Sequence, residues 1–136
     1  DGLVATTPRP SSVSAGGELL GTILDRRSDL EALFCCDDNL ALGALFECQR
    51  RGIAVPDRIS IVGFNDLEFA ACAHPPITSV ATPRYEMGRV ASEIVMKIIE
   101  TGERPETRRI DVGFAIRERG STRAIAQPKA RRALSE

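Results

Sequence analysis

The sequence is short of several things, and each shortage removes a class of function. It has one histidine, His74, and its four cysteines form no CxxC pair. Zinc-site spacing is therefore absent, and neither a metal nor a cofactor is expected. There is no basic excess: 18 Lys and Arg face 19 Asp and Glu, for a formal charge of -1. A module that grips DNA alone draws much of its affinity from phosphate contacts, so these residues are not expected to bind DNA by themselves. No apolar run nears the roughly 18 residues of a membrane span. No charged-then-apolar leader opens the chain, which starts at Asp1 without an initiator Met and is expected to be a piece of a longer protein. No G-x-S-x-G elbow surrounds Ser11 or Ser12, and Pro75-Pro76 follows His74 directly. Hydrolytic chemistry thus lacks its usual frame, and no enzyme is expected. No internal repeat occurs.

What is present is one domain's worth of ordinary soluble sequence. The 136 residues are 43% hydrophobic and 27% charged, enough to bury one real core. Cys35, Cys36 and Cys48 sit in apolar segments and Cys72 beside alanines. They read as small buried hydrophobes in a reducing, cytoplasmic compartment.

Periodicity gives the elements. Gly2 to Thr6 reads as a short strand. Ser14 is the expected cap of a helix running to about Arg27, with Leu19, Leu20, Ile23 and Leu24 as its stripe. Ala32 to Cys36 is an unbroken apolar run, as in a strand covered on both faces. Asp38 stands where an N-cap is wanted, and the helix that follows ends near Arg51, at Gly52. Ile59 to Phe64 is a second apolar strand, and one helical turn is expected around Glu68 to Cys72. Thr78 to Thr82 is a third strand. Met87, Val90, Ala91, Ile94, Val95, Ile98 and Ile99 mark a helix over Tyr85 to Glu100. Arg108 to Glu118 reads as a last extended segment, and the tail over 124–136 as disordered. Strands alternating with helices predict an α/β fold, a mostly parallel Rossmann-like sheet flanked by helices.

Ligands of such sheets bind at the carboxyl ends of the strands. Asp37-Asp38-Asn39 follows the first clear strand and Asn65-Asp66 the second, while Thr82 ends the third. Carboxylates and amides on one rim can hydrogen-bond a polyhydroxylated or heterocyclic ligand. Beside that stands a plainer reading, in which Asp38 caps its helix and Asn65-Asp66 form a turn. Asp37 and Asp38 could also hold a hard cation, but paired acids at a helix start are more often a capping arrangement.

The helix from Asp38 has one face made of Leu40, Ala41, Ala44, Leu45 and Cys48, and Leu42 and Phe46 lie apart from it. A subunit interface and scattered surface apolar residues both account for that second face.

Five stretches, in order, resemble the lac-repressor/galactose-repressor family of bacterial transcription regulators. Cys36-Asp37-Asp38-Asn39-Leu40-Ala41-Leu42-Gly43 resembles its ND-x-x-A-L-G segment. Gly52 to Asp66 resembles G-x-x-V-P-x-D-I-S-V-x-G-F-D-D. Pro75-Pro76-Ile77-Thr78-Ser79-Val80 resembles P-P-L-T-T-V. Gly88 with Ala91 resembles the family's G-x-x-A helix start, and Arg119-Gly120-Ser121-Thr122 its R-x-S-T ending. The overall flavour is similar to gluconate repressors.

The resemblance implies two Rossmann-like lobes, the type I periplasmic-binding-protein-like fold, with an effector between them. The chain is similar to the C-terminal portion of that sensor: second lobe over about 1–82 and 113–123, first-lobe segment over about 83–112. A helix-turn-helix DNA-binding domain precedes the sensor in such proteins and has no counterpart here. Family effector contacts fall on Asp37, where Asn is common, on Asn65 with Asp66, where Asp is common, and on Thr82, where Gln is frequent. Ser11 or Ser12 stands where some members have an aromatic wall. The family's dimer interface falls on Leu42, Phe46 and Ala73. The function implied is binding of a small sugar or sugar-acid effector that alters operator affinity in a homodimer. A periplasmic sugar-binding transport receptor on the same fold is the alternative.

Overall fold

The apolar segments that the pattern marks as strands pair as expected. In a computed structural model, which describes residues 3–104 and 109–124, the element order is α1 (Val13–Arg26), β1 (Ala32–Phe34), α2 (Asp38–Arg50), β2 (Ser60–Phe64), α3 (Glu68–Cys72), β3 (Thr78–Ala81), α4 (Arg84–Thr101) and β4 (Ala115–Arg117). The strands form one sheet in the order β1-β2-β3-β4. The first three are parallel, with Leu33 opposite Ile61 and Gly63 opposite Ser79. β4 returns antiparallel, with Val80 opposite Ile116. The carboxyl ends of β1, β2 and β3 therefore share one rim.

The core lies between the sheet and the α1–α2 pair. Leu20, Leu45, Cys48, Ile59, Ile61 and Ile77 are fully buried. The two helices approach backbone to backbone: a Cβ on Gly43 would stand 1.9 Å from the Val13 carbonyl oxygen. Any side chain there would force the pair apart, so glycine is a packing requirement at this contact. Ser121, in the R-x-S-T motif, stitches the amino ends of the two inner strands, β2 and β3. The Ser121 hydroxyl donates to the Ile61 carbonyl at 2.5 Å and accepts from the Thr78 amide at 2.8 Å. Ser121 also accepts from the Ile61 amide through its own carbonyl. The R-x-S-T ending is thus an extra line of hydrogen bonds across β2 and β3.

Several expectations need correction. The residues described within the expected first strand, 3–6, do not ladder with β1. They lie against it, sharing a cavity of about 350 Å³ with Leu19, Ile23, Phe34, Cys35 and Cys36. Strand propensity needs a ladder, and here no pairing forms. The cap of α1 is Ser12, not Ser14: the Ser12 hydroxyl accepts from the Ala15 amide at 3.1 Å. The cap of α2 is Asp37, not Asp38. Of the four cysteines, all free, Cys35 and Cys48 are buried but Cys36 and Cys72 are exposed. Burial pushes the Cys35 thiol up to about 12 and that of Cys48 to about 11, so neither is a reactive thiolate. The expected disordered tail lies outside the described residues, apart from Ala124.

α4 differs from the rest. It has the expected apolar stripe and ends at Gly102, yet none of its residues is buried.

Candidate functional site

The rim is built by a buried carboxylate. β1 ends at Phe34 and α2 begins at Asp38, so the residue that must satisfy the free helical amides is Asp37. Its Oδ1 accepts from the Leu40 amide at 2.9 Å. Asp38 then points inward and is fully buried. Its Oδ1 accepts from the Ser79 hydroxyl at 2.7 Å and its Oδ2 from the Leu67 amide at 2.6 Å. One carboxylate thus ties α2 to β3 and to the loop after β2. A buried polar group is tolerated only when it is hydrogen-bonded in this way. Gly63 makes the room: a Cβ there would stand 2.1 Å from Asp38 Oδ1.

That clamp holds a strained corner. Asn65 has φ 96° and Asp66 φ 52°, two successive left-handed residues that are not glycine. Asparagine and aspartate tolerate such φ better than other side chains, but two in a row persist only when their surroundings hold them. Here the Asn65 amide donates to the Val80 carbonyl at 2.9 Å, the Asp66 amide to the Ser79 hydroxyl at 3.1 Å, and the Leu67 amide to Asp38. Asn65-Asp66 is thus a bend held at several points, and both residues line a cavity.

Thr82 joins the corner, its hydroxyl lying 3.4 Å from Asn65 Oδ1, a weak contact by length. Three arginines also gather there. Arg84 donates to the Asn65 carbonyl at 2.9 Å. Arg119 donates to Asp66 Oδ1 at 2.6 Å and to the Ile77 carbonyl at 2.8 Å. Arg117 reaches Asp66 Oδ2 only at 3.8 Å. Asn65, Asp66, Thr82, Arg84, Phe114 and Arg117 line an open cavity of about 460 Å³, to which 112–115 also contribute. A volume of a few hundred Å³ suits a small polar ligand.

The six sequence-marked contacts therefore separate. Asn65, Asp66 and Thr82 come together. Asp37 stands on the same rim, occupied by its helix, and does not line this cavity. Ser12 caps α1, and neither Ser11 nor Ser12 lines the cavity. Arg119 lies in the R-x-S-T ending, whereas Arg84 and Arg117 carry no mark as site residues in the sequence. Arg84 directly follows Thr82-Pro83, and that nearness to a marked residue is the one signal that could have pointed to it.

The second face of α2 is divided. Leu42 is half-buried and packs against the core, as does Ala73, whereas Phe46 is 51% exposed. Gln49 Nε2 donates to the His74 carbonyl at 2.7 Å, fastening α2 to the loop after α3. Phe46, Leu42 and that loop thus stand on neighbouring elements.

Residues 4–122 match the periplasmic binding protein-like domain family. The chain belongs to that family. It is 43% identical over 121 residues to the HTH-type transcriptional regulator GntR of Pseudomonas aeruginosa, covering 89% of this chain and 35% of that protein. Among solved structures, the transcription regulator GntR from Chromobacterium violaceum superposes with a TM-score of 0.76 at 49% identity, over 85% of this chain and 42% of that one. A complex of the transcriptional regulator CelR with cellobiose gives 0.75 at 33% identity, over 81% and 33%. The chain spans about a third of the length of the curated relatives it matches. The relatives are transcription regulators of the lac-repressor type, as the motifs imply, and not transport receptors. The mostly parallel α/β sheet agrees with the expected partial periplasmic-binding-protein-like fold. Among the described residues, no helix of this periplasmic-binding-protein-like domain is long and apolar enough to cross a membrane.

Proposed function

We propose that this chain is the ligand-sensing portion of a cytoplasmic, DNA-binding transcription regulator that works as a homodimer, binds a small sugar or sugar-acid effector, and catalyses nothing. The observation that carries the reading is the strained Asn65-Asp66 corner, held from three sides and opening on a cavity lined by Thr82, Arg84 and Arg117. Strain kept in place by its surroundings marks contact surfaces more often than plain turns. CelR, a relative by fold, was solved with cellobiose, which supports a saccharide-like effector. Four free cysteines favour a reducing compartment.

Residues about 1–82 and 113–123 belong to one lobe, and 83–112 to a second that the rest of the protein completes. The bare stripe of α4 supports this division. Effector bound between the lobes favours one relative orientation, and a dimer converts that orientation into operator affinity through a helix-turn-helix domain elsewhere in the protein. The shift needs only a few kcal/mol of differential binding. Phe46, with Leu42 and Ala73, contributes to the dimer contact.

The test is calorimetry on the full-length protein with its effector. Asn65→Ala should weaken binding about 10-fold or more, the size of one or two lost polar contacts. Asp37→Ala should weaken it less, since one carboxylate oxygen is committed to the helix. Unchanged affinity in both overturns the assignment of this rim.

A further inference from the structure

The side chain of Asn65 is the least committed part of the corner, while the backbone around it is held throughout. Its amide donates to the Val80 carbonyl and its carbonyl accepts from Arg84, both at 2.9 Å. Its carboxamide meets only the Thr82 hydroxyl among the described residues, at 3.4 Å, where little is gained. The direction of that carboxamide is set by the backbone of Asn65 and Asp66, at φ 96° and 52°, values that nothing local favours over negative φ. The next two amides lead back to one carboxylate. Ser79, fully buried in β3, stands opposite Gly63 in β2. Its Oγ accepts from the Asp66 amide at 3.1 Å and donates to Asp38 Oδ1 at 2.7 Å. Asp38 Oδ2 accepts from the Leu67 amide at 2.6 Å. A hydroxyl donates and accepts at once, so Ser79 carries the hold of Asp38 one residue further, to the Asp66 amide. Neither Ser79 nor Asp38 lines the cavity.

Resting on the effector-sensing reading above, we propose that Ser79 is a positioning residue of the effector site: without touching the ligand, its hydroxyl relays the hold of Asp38 to the Asp66 amide and so keeps the Asn65 carboxamide in place for binding. Removal of the hydroxyl strands that amide, and two successive left-handed residues lose one of the restraints that keep them. The ligand then binds only the fraction of molecules in which the corner is still set, and its apparent affinity falls by that fraction. Ser79 acts through Asn65, so its effect on binding disappears when the Asn65 side chain is gone.

The experiment is a double-mutant cycle read by calorimetry on the full-length protein, with D-gluconate, D-galactonate, D-glucose, D-galactose and cellobiose as probes. Ser79→Ala should weaken the probe that binds by about 10-fold, the size of one stranded buried hydrogen bond. In an Asn65→Ala background the same change should weaken it by less than about 2-fold. Thermal unfolding should shift equally in both backgrounds, so a merely structural role would show in the melt and not in the cycle. Hydrogen exchange on the wild-type protein needs no variant to fold: the Asp66 amide should exchange at least about 100-fold more slowly than an unfolded one. Unchanged affinity in Ser79→Ala, an equal loss in both backgrounds, or an unprotected Asp66 amide overturns the proposal and leaves the sensor standing, provided that Asn65→Ala weakens binding. If Asn65→Ala binds as the wild type does, the proposal falls. If Asp37→Ala does so as well, or if no probe binds, the reading beneath it falls too.

Discussion

The body formed by α1, α2 and the parallel strands contrasts with α4, although both carry the same kind of apolar spacing. Leu20, Leu45 and Ile61 are fully buried. Ile94 and Ile98 are only half-buried and Ile99 is 71% exposed. Periodicity reports that a face needs cover; it does not report what covers it. In the body the cover comes from other elements of the same chain, α1 and α2 against each other and α2 against the sheet. For α4 no described residue provides it, and its stripe is a large apolar surface of the kind soluble proteins rarely keep in water.

Mutations can break or sharpen that contrast. The largest effect is expected in the body. Asp38→Ala strands the Leu67 amide and the Ser79 hydroxyl, so the full-length protein should lose roughly 3–5 kcal/mol in urea unfolding. A loss below about 1 kcal/mol would mean that water replaces the clamp at no cost. Next comes α4. Ile94→Ala in the full-length protein should cost about 2–3 kcal/mol, the size of a core truncation. A cost within about 0.5 kcal/mol would make α4 a surface helix and erase the contrast. Phe46→Arg should shift sedimentation toward monomer with little change in unfolding of the monomer; an undisturbed dimer removes α2 from the interface.

The smallest effect concerns Glu47, which hydrogen bonds from Arg50 and Arg51 hold down to about 2. Its folded value lies below its ordinary 4.5, so the stabilisation is complete above about pH 4.5 and fades as pH falls toward 2. Both arginines are partly exposed, so Glu47→Gln should remove at most about 1 kcal/mol at pH 7 and flatten that acid slope. An unchanged slope between pH 5 and 2 would show that the pairs contribute nothing.

Apolar spacing is a local signal, so the positions of the helices and of β1, β2 and β3 are legible in the sequence, while the order of the strands in the sheet is not. Nor are the roles of the two aspartates. Asp37 and Asp38 are equally good caps by type, and which one caps depends on where β1 stops, at Phe34. A carboxylate buried across from Ser79, 41 positions away, leaves no local trace except Gly63, which clears its space. The corner at Asn65-Asp66 was legible as a polar cluster at a strand end. Its left-handed backbone was not, since that conformation is imposed by Asp38, Ser79 and Val80. Arg117 and Arg119 are brought to Arg84 and Asp66 by β4 folding back on β3, a pairing between residues 34 to 38 positions apart. No spacing rule could have joined them.

The most direct test of the Asn65-Asp66 corner as the effector contact is a crystal structure of the full-length protein with the ligand that titration identifies. The account predicts the ligand hydrogen-bonded to Asn65 or Asp66 in the cavity between Thr82 and Phe114, with both residues still at positive φ. A ligand seated instead in the apolar cavity beside Cys35 and Cys36, leaving the corner untouched, would contradict it.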